Sequence, residues 1–269
     1  MKAVTRLTHD GDFKQHLAWS PDGKKFLFTR HHRGRVGLWT MDADGGGMKA
    51  LVASEAPHFD GCWSPGGKRI AFVQDVLHGT EGKLQINTVA ADGSGSTVLI
   101  PNHAFEESPR WSPDGKKVMF VSCRDGNQEI YVADADGRNV TRLTRETTAN
   151  NSPCWSPDGK RIVFASARYG SLEVCVMNAD GGDVRRLTNN GAMDYWPVWS
   201  PDGGRIAFTS NRDGNYEVYA MRADGSGQRN VTRHPGQDNY AAWSPDGRRL
   251  AFISNRHGGD DVYVTEERS

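Results

Sequence analysis

The sequence has no apolar run approaching the roughly 20 residues that cross a bilayer as a helix. It also lacks the charged-then-apolar opening of an export signal, since Met-Lys-Ala-Val leads directly into a strand-like segment. A soluble, unexported chain is expected, cytoplasmic as written and periplasmic only if a leader has been removed. An excess of one charge is missing too: 33 basic and 33 acidic residues cancel. That argues against a general electrostatic grip on nucleic acid or anionic lipid. Only four cysteines occur, Cys62, Cys123, Cys154 and Cys175, with no Cys-x-x-Cys spacing, so free buried thiols are expected. No Gly-x-Ser-x-Gly nucleophile elbow is present. The acidic stretches Asp42-Ala43-Asp44-Gly45 and Asp134-Ala135-Asp136-Gly137 are too short for the twelve-residue EF-hand loop and lack its closing glutamate, so they read as turns.

What the sequence does have is a ladder. Trp-Ser-Pro-Asp-Gly recurs at Trp19, Trp111, Trp155, Trp199 and Trp243, with Trp-Ser-Pro-Gly at Trp63. The spacing is 44 residues except for 48 between Trp63 and Trp111, a period too short for a domain and long enough for a four-stranded sheet. Each unit reads as an apolar strand ending at tryptophan, a Ser-Pro-Asp-Gly turn, two β-branched or aromatic strands, an Ala-Asp-Gly turn and a fourth strand. The last unit lacks its fourth strand, and residues 4–8, Val-Thr-Arg-Leu-Thr, repeat residues 140–144 letter for letter. The N-terminus therefore completes the last sheet, closing a ring without exposed edges. The expected fold is all-β: a single six-bladed β-propeller over residues 1–269, built of four-stranded antiparallel blades, with a monomer expected.

Three segments resemble the propeller repeats of the TolB family: Trp-Ser-Pro-Asp-Gly-Lys-Arg-Ile at 155–162, Ser-Asn-Arg-Asp-Gly-Asn-x-Glu at 210–217, and Ala-Asp-Gly-Gly leading to Arg-Leu-Thr at 179–188. The resemblance implies a propeller that binds a protein or peptide partner. TolB proteins also carry an N-terminal α/β domain and a signal peptide, act in the periplasm and bind a peptidoglycan-associated lipoprotein and colicins. Neither extra feature is in this sequence. Similar propellers precede the catalytic domains of prolyl-oligopeptidase-like and tricorn-like peptidases, a reading excluded by the missing elbow, and a related one forms a metal-dependent pectate-type lyase.

The turns joining strands one to two and three to four are near copies, whereas the loops on the other face vary and hold the four-residue insertion, within residues 74–82. Variable loops on a repeated frame mark a binding face. All nine histidines map there: His9, His16, His58, His103 and His234 in or beside the blade-to-blade loops, and His31, His32, His78 and His257 between the second and third strands. Arg33 joins His31, His32, His78 and His257 as the expected loop contacts. Five residues before each tryptophan stand Lys14, His58, Glu106, Asn150, Asp194 and Asp238, expected at the channel mouth. Glu106, Asp194 and Asp238 could offer oxygens to calcium or another hard divalent cation. Three residues before the tryptophans stand His16, Asp60, Ser108, Ser152, Trp196 and Tyr240, among which the aromatics can stack on a sugar or grip a peptide side chain. Two functions follow: a non-enzymatic binder of protein or peptide at the channel mouth, or a metal-dependent lyase- or hydrolase-like enzyme if His16, His58, Asp194 and Asp238 converge.

Overall fold

The computed structural model describes residues 4–52, 54–76, 83–101 and 104–267. His78, His103 and most of the insertion lie outside them. All regular elements among the described residues are strands, numbered β1 to β24 in chain order and grouped in six four-stranded sheets. The inner strands of blades one to six are β2 (Lys14–Trp19), β6 (His58–Trp63), β10 (Glu106–Trp111), β14 (Asn150–Trp155), β18 (Asp194–Trp199) and β22 (Asp238–Trp243). Blade six is completed by β1 (Val4–Arg6), which pairs antiparallel with β24 (Asp261–Glu266) in the register Val4 to Thr265 and Arg6 to Tyr263.

The ring is held by contacts that recur blade after blade. Phe28, Phe72, Phe120, Phe164, Phe208 and Phe252 are fully buried on the second strands. Guanidinium groups reach across blade boundaries to cap the repeat tryptophans: Arg161 lies 4.7 Å from the Trp199 ring, Arg205 4.5 Å from Trp243 and Arg249 4.7 Å from Trp19. The Ala-Asp-Gly turns also dock onto the preceding blade. A Cβ on Gly137 would stand 2.1 Å from the Leu99 carbonyl oxygen, and one on Gly93 1.9 Å from that of Leu51. Glycine is needed there for its positive φ, 84° and 93°, and for the space.

Two local expectations change. The fourth strands are shorter than five residues: β13 is Thr141–Arg142 and β1 is Val4–Arg6. The threonine that follows turns inward instead, its hydroxyl donating to a buried carboxylate, Thr8 to Asp261 at 2.6 Å and Thr144 to Glu129. In blade one, His31 and His32 belong to β3 (Lys25–His32), not to a loop. The hairpin to β4 (Arg35–Asp42) is closed by Arg33-Gly34 alone, at φ 51° and 76°, a tight two-residue turn that lets both strands run to eight residues.

Candidate functional site in the central channel

Every inner strand carries a β-bulge. In β18 the pairing with β19 (Arg205–Ser210) passes from Tyr195–Thr209 to Val198–Ala207, so two residues face one. The first bulged residue has positive φ in all six blades: His16 at 54°, Asp60 at 50°, Ser108 at 53°, Ser152 at 52°, Trp196 at 51° and Tyr240 at 54°. For non-glycine residues this conformation is strained by roughly 1–3 kcal/mol and persists where the surrounding fold imposes it. Five of the six, all but Ser108, line the central cavity.

The bulge separates the ten predicted mouth residues into two sets. Lys14, His58, Glu106, Asn150, Asp194 and Asp238 are buried within or between blades. Glu106 receives Arg124 at 3.0 Å, Asp194 receives Arg212 at 2.9 Å, and both oxygens of Asp238 receive Arg256 at 3.1 and 2.9 Å. Asn150 accepts from Arg168 at 3.3 Å, and Lys14 donates to the carbonyls of Asp12 and Asp260 at 3.0 and 2.8 Å. Each of these arginines also donates to the serine two residues before it, for example Arg212 to Ser210 at 2.9 Å, which holds the fork against its own blade. The expected convergence of Glu106, Asp194 and Asp238 on the axis is corrected accordingly. Their charge is neutralised within separate blades, and among the described residues no group of three or more His, Cys, Asp or Glu side chains has metal-binding geometry.

His16, Asp60, Trp196 and Tyr240 instead line a cavity of about 250 Å³ within the ring. One wall is aromatic. Trp196 and Tyr240 stack with ring centroids 3.9 Å apart, and His16 lies 5.0 Å from Tyr240 on the other side. Tyr195 meets Trp196 edge-on at 4.3 Å and Tyr216 at 5.7 Å. The facing wall is polar: Arg110 donates to Asp60 at 2.9 Å, with Ser152, Cys62 and Cys154 beside it. The lining continues past the repeat tryptophans to Pro201, so the cavity extends toward the face of the copied turns.

Burial sets the charges of this pocket. It lowers the His16 imidazole below its ordinary range despite the nearby Asp60 carboxylate, leaving it neutral. Burial alone would raise the Asp60 carboxyl, but the Arg110 charge and the hydrogen bonds from Arg110 and Ser108 outweigh it and hold the group ionised. Asp60 in turn raises the Arg110 guanidinium against its own desolvation. The Cys62 and Cys154 thiols are pushed up by burial and stay protonated. The pocket therefore combines a neutral aromatic face with one charged pair and several hydroxyl and thiol groups, a composition suited to orienting a largely apolar ligand.

Sequence reasoning missed Arg110 and Tyr195. Arg110 occupies the position filled by Cys62, Cys154 and Val198 on other blades, and a lone cation among apolar residues was the available signal. Tyr195 carried none, since the second residues, Gln15, Phe59, Glu107, Asn151, Tyr195 and Asn239, follow no common pattern. Among the predicted loop residues, His32 contacts Asp12 at 2.7 Å, His31 packs edge-on against Phe13 with centroids 4.8 Å apart, and His257 contacts the Tyr263 hydroxyl at 2.7 Å. His31 and His32, at the end of β3, and His257 all lie apart from the cavity lining.

The family model for the TolB beta propeller domain matches residues 38–197, more than half of the chain. The chain belongs to the TolB β-propeller family. A second model, the Tricorn protease N-terminal beta propeller domain, matches residues 174–262. No curated protein sequence matches. Among solved structures, one assigned as TolB from Agrobacterium tumefaciens is similar at 24% identity and TM-score 0.75, covering 99% of this chain and 97% of its own. TolB from Acinetobacter baumannii is similar at 24% identity and TM-score 0.70, and the match covers 95% of this chain and 64% of that longer one. An oligogalacturonate lyase in complex with manganese is similar at 16% identity and TM-score 0.68, covering 100% and 94%. At these identities the structural likeness is one of fold.

Proposed function

We propose that this TolB-family propeller is a non-enzymatic binding module that takes a protein or peptide partner, seating a side chain of the partner in the central channel. The observation that carries the reading is the preformed stack of Trp196, Tyr240 and His16 facing the Asp60–Arg110 pair. Aromatic anchors in concave, desolvated pockets dominate the energetics of polypeptide recognition. Family membership supports the same reading.

The alternative, a metal-dependent lyase-like enzyme, draws on the likeness to the manganese-bound oligogalacturonate lyase. The residues it needs do not assemble here: His58, Asp194 and Asp238 are buried in different blades, and only His16 reaches the cavity.

The test is affinity capture of partners from a native lysate, followed by calorimetry with the purified partner. Trp196→Ala and Tyr240→Ala are each expected to weaken binding by roughly 2 kcal/mol or more. Equal affinity for wild type and both variants would contradict a channel-centred site.

A further inference from the structure

Blade five lacks a cation that its sister blades possess. In blades three, four and six the first residue of the third strand is a buried carboxylate, and the outer strand supplies an arginine to it: Arg142 to Glu129 at 3.0 Å, Arg186 to Glu173 at 2.6 Å and Arg6 to Asp261 at 2.7 Å. Each arginine also donates its Nε to the carbonyl of the threonine two residues on, Thr144 at 2.7 Å, Thr188 at 2.6 Å and Thr8 at 2.9 Å. Arg142 extends a third hydrogen bond to Asp125 at 3.2 Å. The seat is a planar fork site with an acceptor for each edge of a guanidinium.

In blade five the carboxylate is present and the guanidinium is not. Glu217, 4% exposed, opens β20 (Glu217–Arg222). Its outer-strand partner β21 (Arg229–Asn230) places Asn230 opposite Tyr219, the register that Arg142 holds opposite Tyr131 and Arg6 opposite Tyr263. The acceptors remain: Glu217, the Thr232 carbonyl and, at the position of Asp125, Asp213, whose Oδ2 accepts from the shorter Asn230 amide at 3.0 Å and from the Tyr219 hydroxyl. Glu217 accepts from the Thr232 hydroxyl at 2.5 Å and the His234 amide at 2.8 Å, but no ion pair reaches it among the described residues. Burial, with Asp238 nearby, raises its carboxyl, whereas the arginine-paired Glu173 is lowered. Where the arginine lies in the sister blades, blade five has an open groove of about 740 Å³ lined in part by Asp213, Glu217 and Asn230; of the arginines that also line it, Arg212 is paired with Asp194, Arg229 with Glu267, and Arg233 is exposed.

We propose that this groove is a subsite for an arginine side chain supplied by a polypeptide partner, whose guanidinium takes the place left by Asn230 and pairs with Glu217 and Asp213. Arginine fits better than lysine because three acceptors are arranged for a planar fork. The subsite lies on the outer rim of the loop face, apart from the channel, and rests on the protein-binding reading only in that a polypeptide brings the arginine.

The probe is acetyl-arginine-amide, titrated into the intact protein and followed through the side-chain amide NMR signals of Asn230 and Asn215. Saturable shifts are expected, roughly tenfold weaker binding for acetyl-lysine-amide, and none for acetyl-norleucine-amide. Glu217→Gln is expected to abolish binding. Asn230→Arg, which restores the sister-blade arginine, is expected to abolish it too while raising the melting temperature by roughly 2–4 °C. Absence of shifts in wild type, shifts that persist in Asn230→Arg, or binding that appears only after Arg233→Ala would overturn the proposal, the last because the chain's own exposed Arg233 would then fill the seat. No readout involves the channel, so this test and the channel test fail independently.

Discussion

His16 shows how one residue joins fold and site. Its backbone is held in the left-handed region by the bulge, and its ring packs between Tyr240 and the blade-two strand, 6.5 Å from Phe59. Burial makes the neutral imidazole the folded form, so its folded pKa lies below the unfolded one. As pH falls below about 6.5, the unfolded chain takes up a proton that the folded chain refuses, and stability drops. His58, lowered by the same cause, acts in the same direction. Urea unfolding of wild type between pH 8 and 5.5 is expected to show a falling midpoint, and His16→Gln a shallower fall. An unchanged slope would mean that His16 is not held neutral.

At the scale of elements, the turns share a glycine at positive φ and differ in what surrounds it. Gly137 and Gly126 both have positive φ, 84° and 111°, yet a Cβ at Gly137 meets the Leu99 carbonyl, whereas at Gly126 nothing stands within 4 Å. Gly126→Ala is expected to cost about 1 kcal/mol of backbone strain, and Gly137→Ala about 3 kcal/mol or more as the blade-three turn is pushed off blade two. Equal losses in thermal denaturation would remove the turn docking from the account. Bulges were illegible because their positive-φ positions hold six residues of five types, Trp196, Tyr240, His16, Asp60, Ser108 and Ser152, with no glycine and no common residue to mark a left-handed backbone. Counting back from tryptophan as if the strand were regular therefore brought Asp194 and Asp238 to the axis, while the extra residue turns them toward Arg212 and Arg256.

For the whole molecule, blade number, strand order and ring closure were legible because Trp-Ser-Pro-Asp-Gly combines a packing residue with turn chemistry at a fixed period. The missing fourth strand had only one matching segment to fill it. Closure rests on few residues: three of β1 on β24, the Arg6–Asp261 pair and the Thr8 hydroxyl. Deleting residues 1–9 is expected to expose the β24 edge and abolish cooperative unfolding or cause aggregation, and an unchanged melting curve would contradict closure. The channel contents were less legible, since the cavity depends on which of six side chains meet across the ring, a relation between residues more than 40 positions apart that no local pattern encodes. The most direct test of the account is hydrogen exchange of the intact protein with and without its captured partner. Binding in the channel predicts new protection in β18, β22 and β2 around Trp196, Tyr240 and His16, whereas protection confined to the outer strands or the copied Ser-Pro-Asp-Gly turns would contradict it.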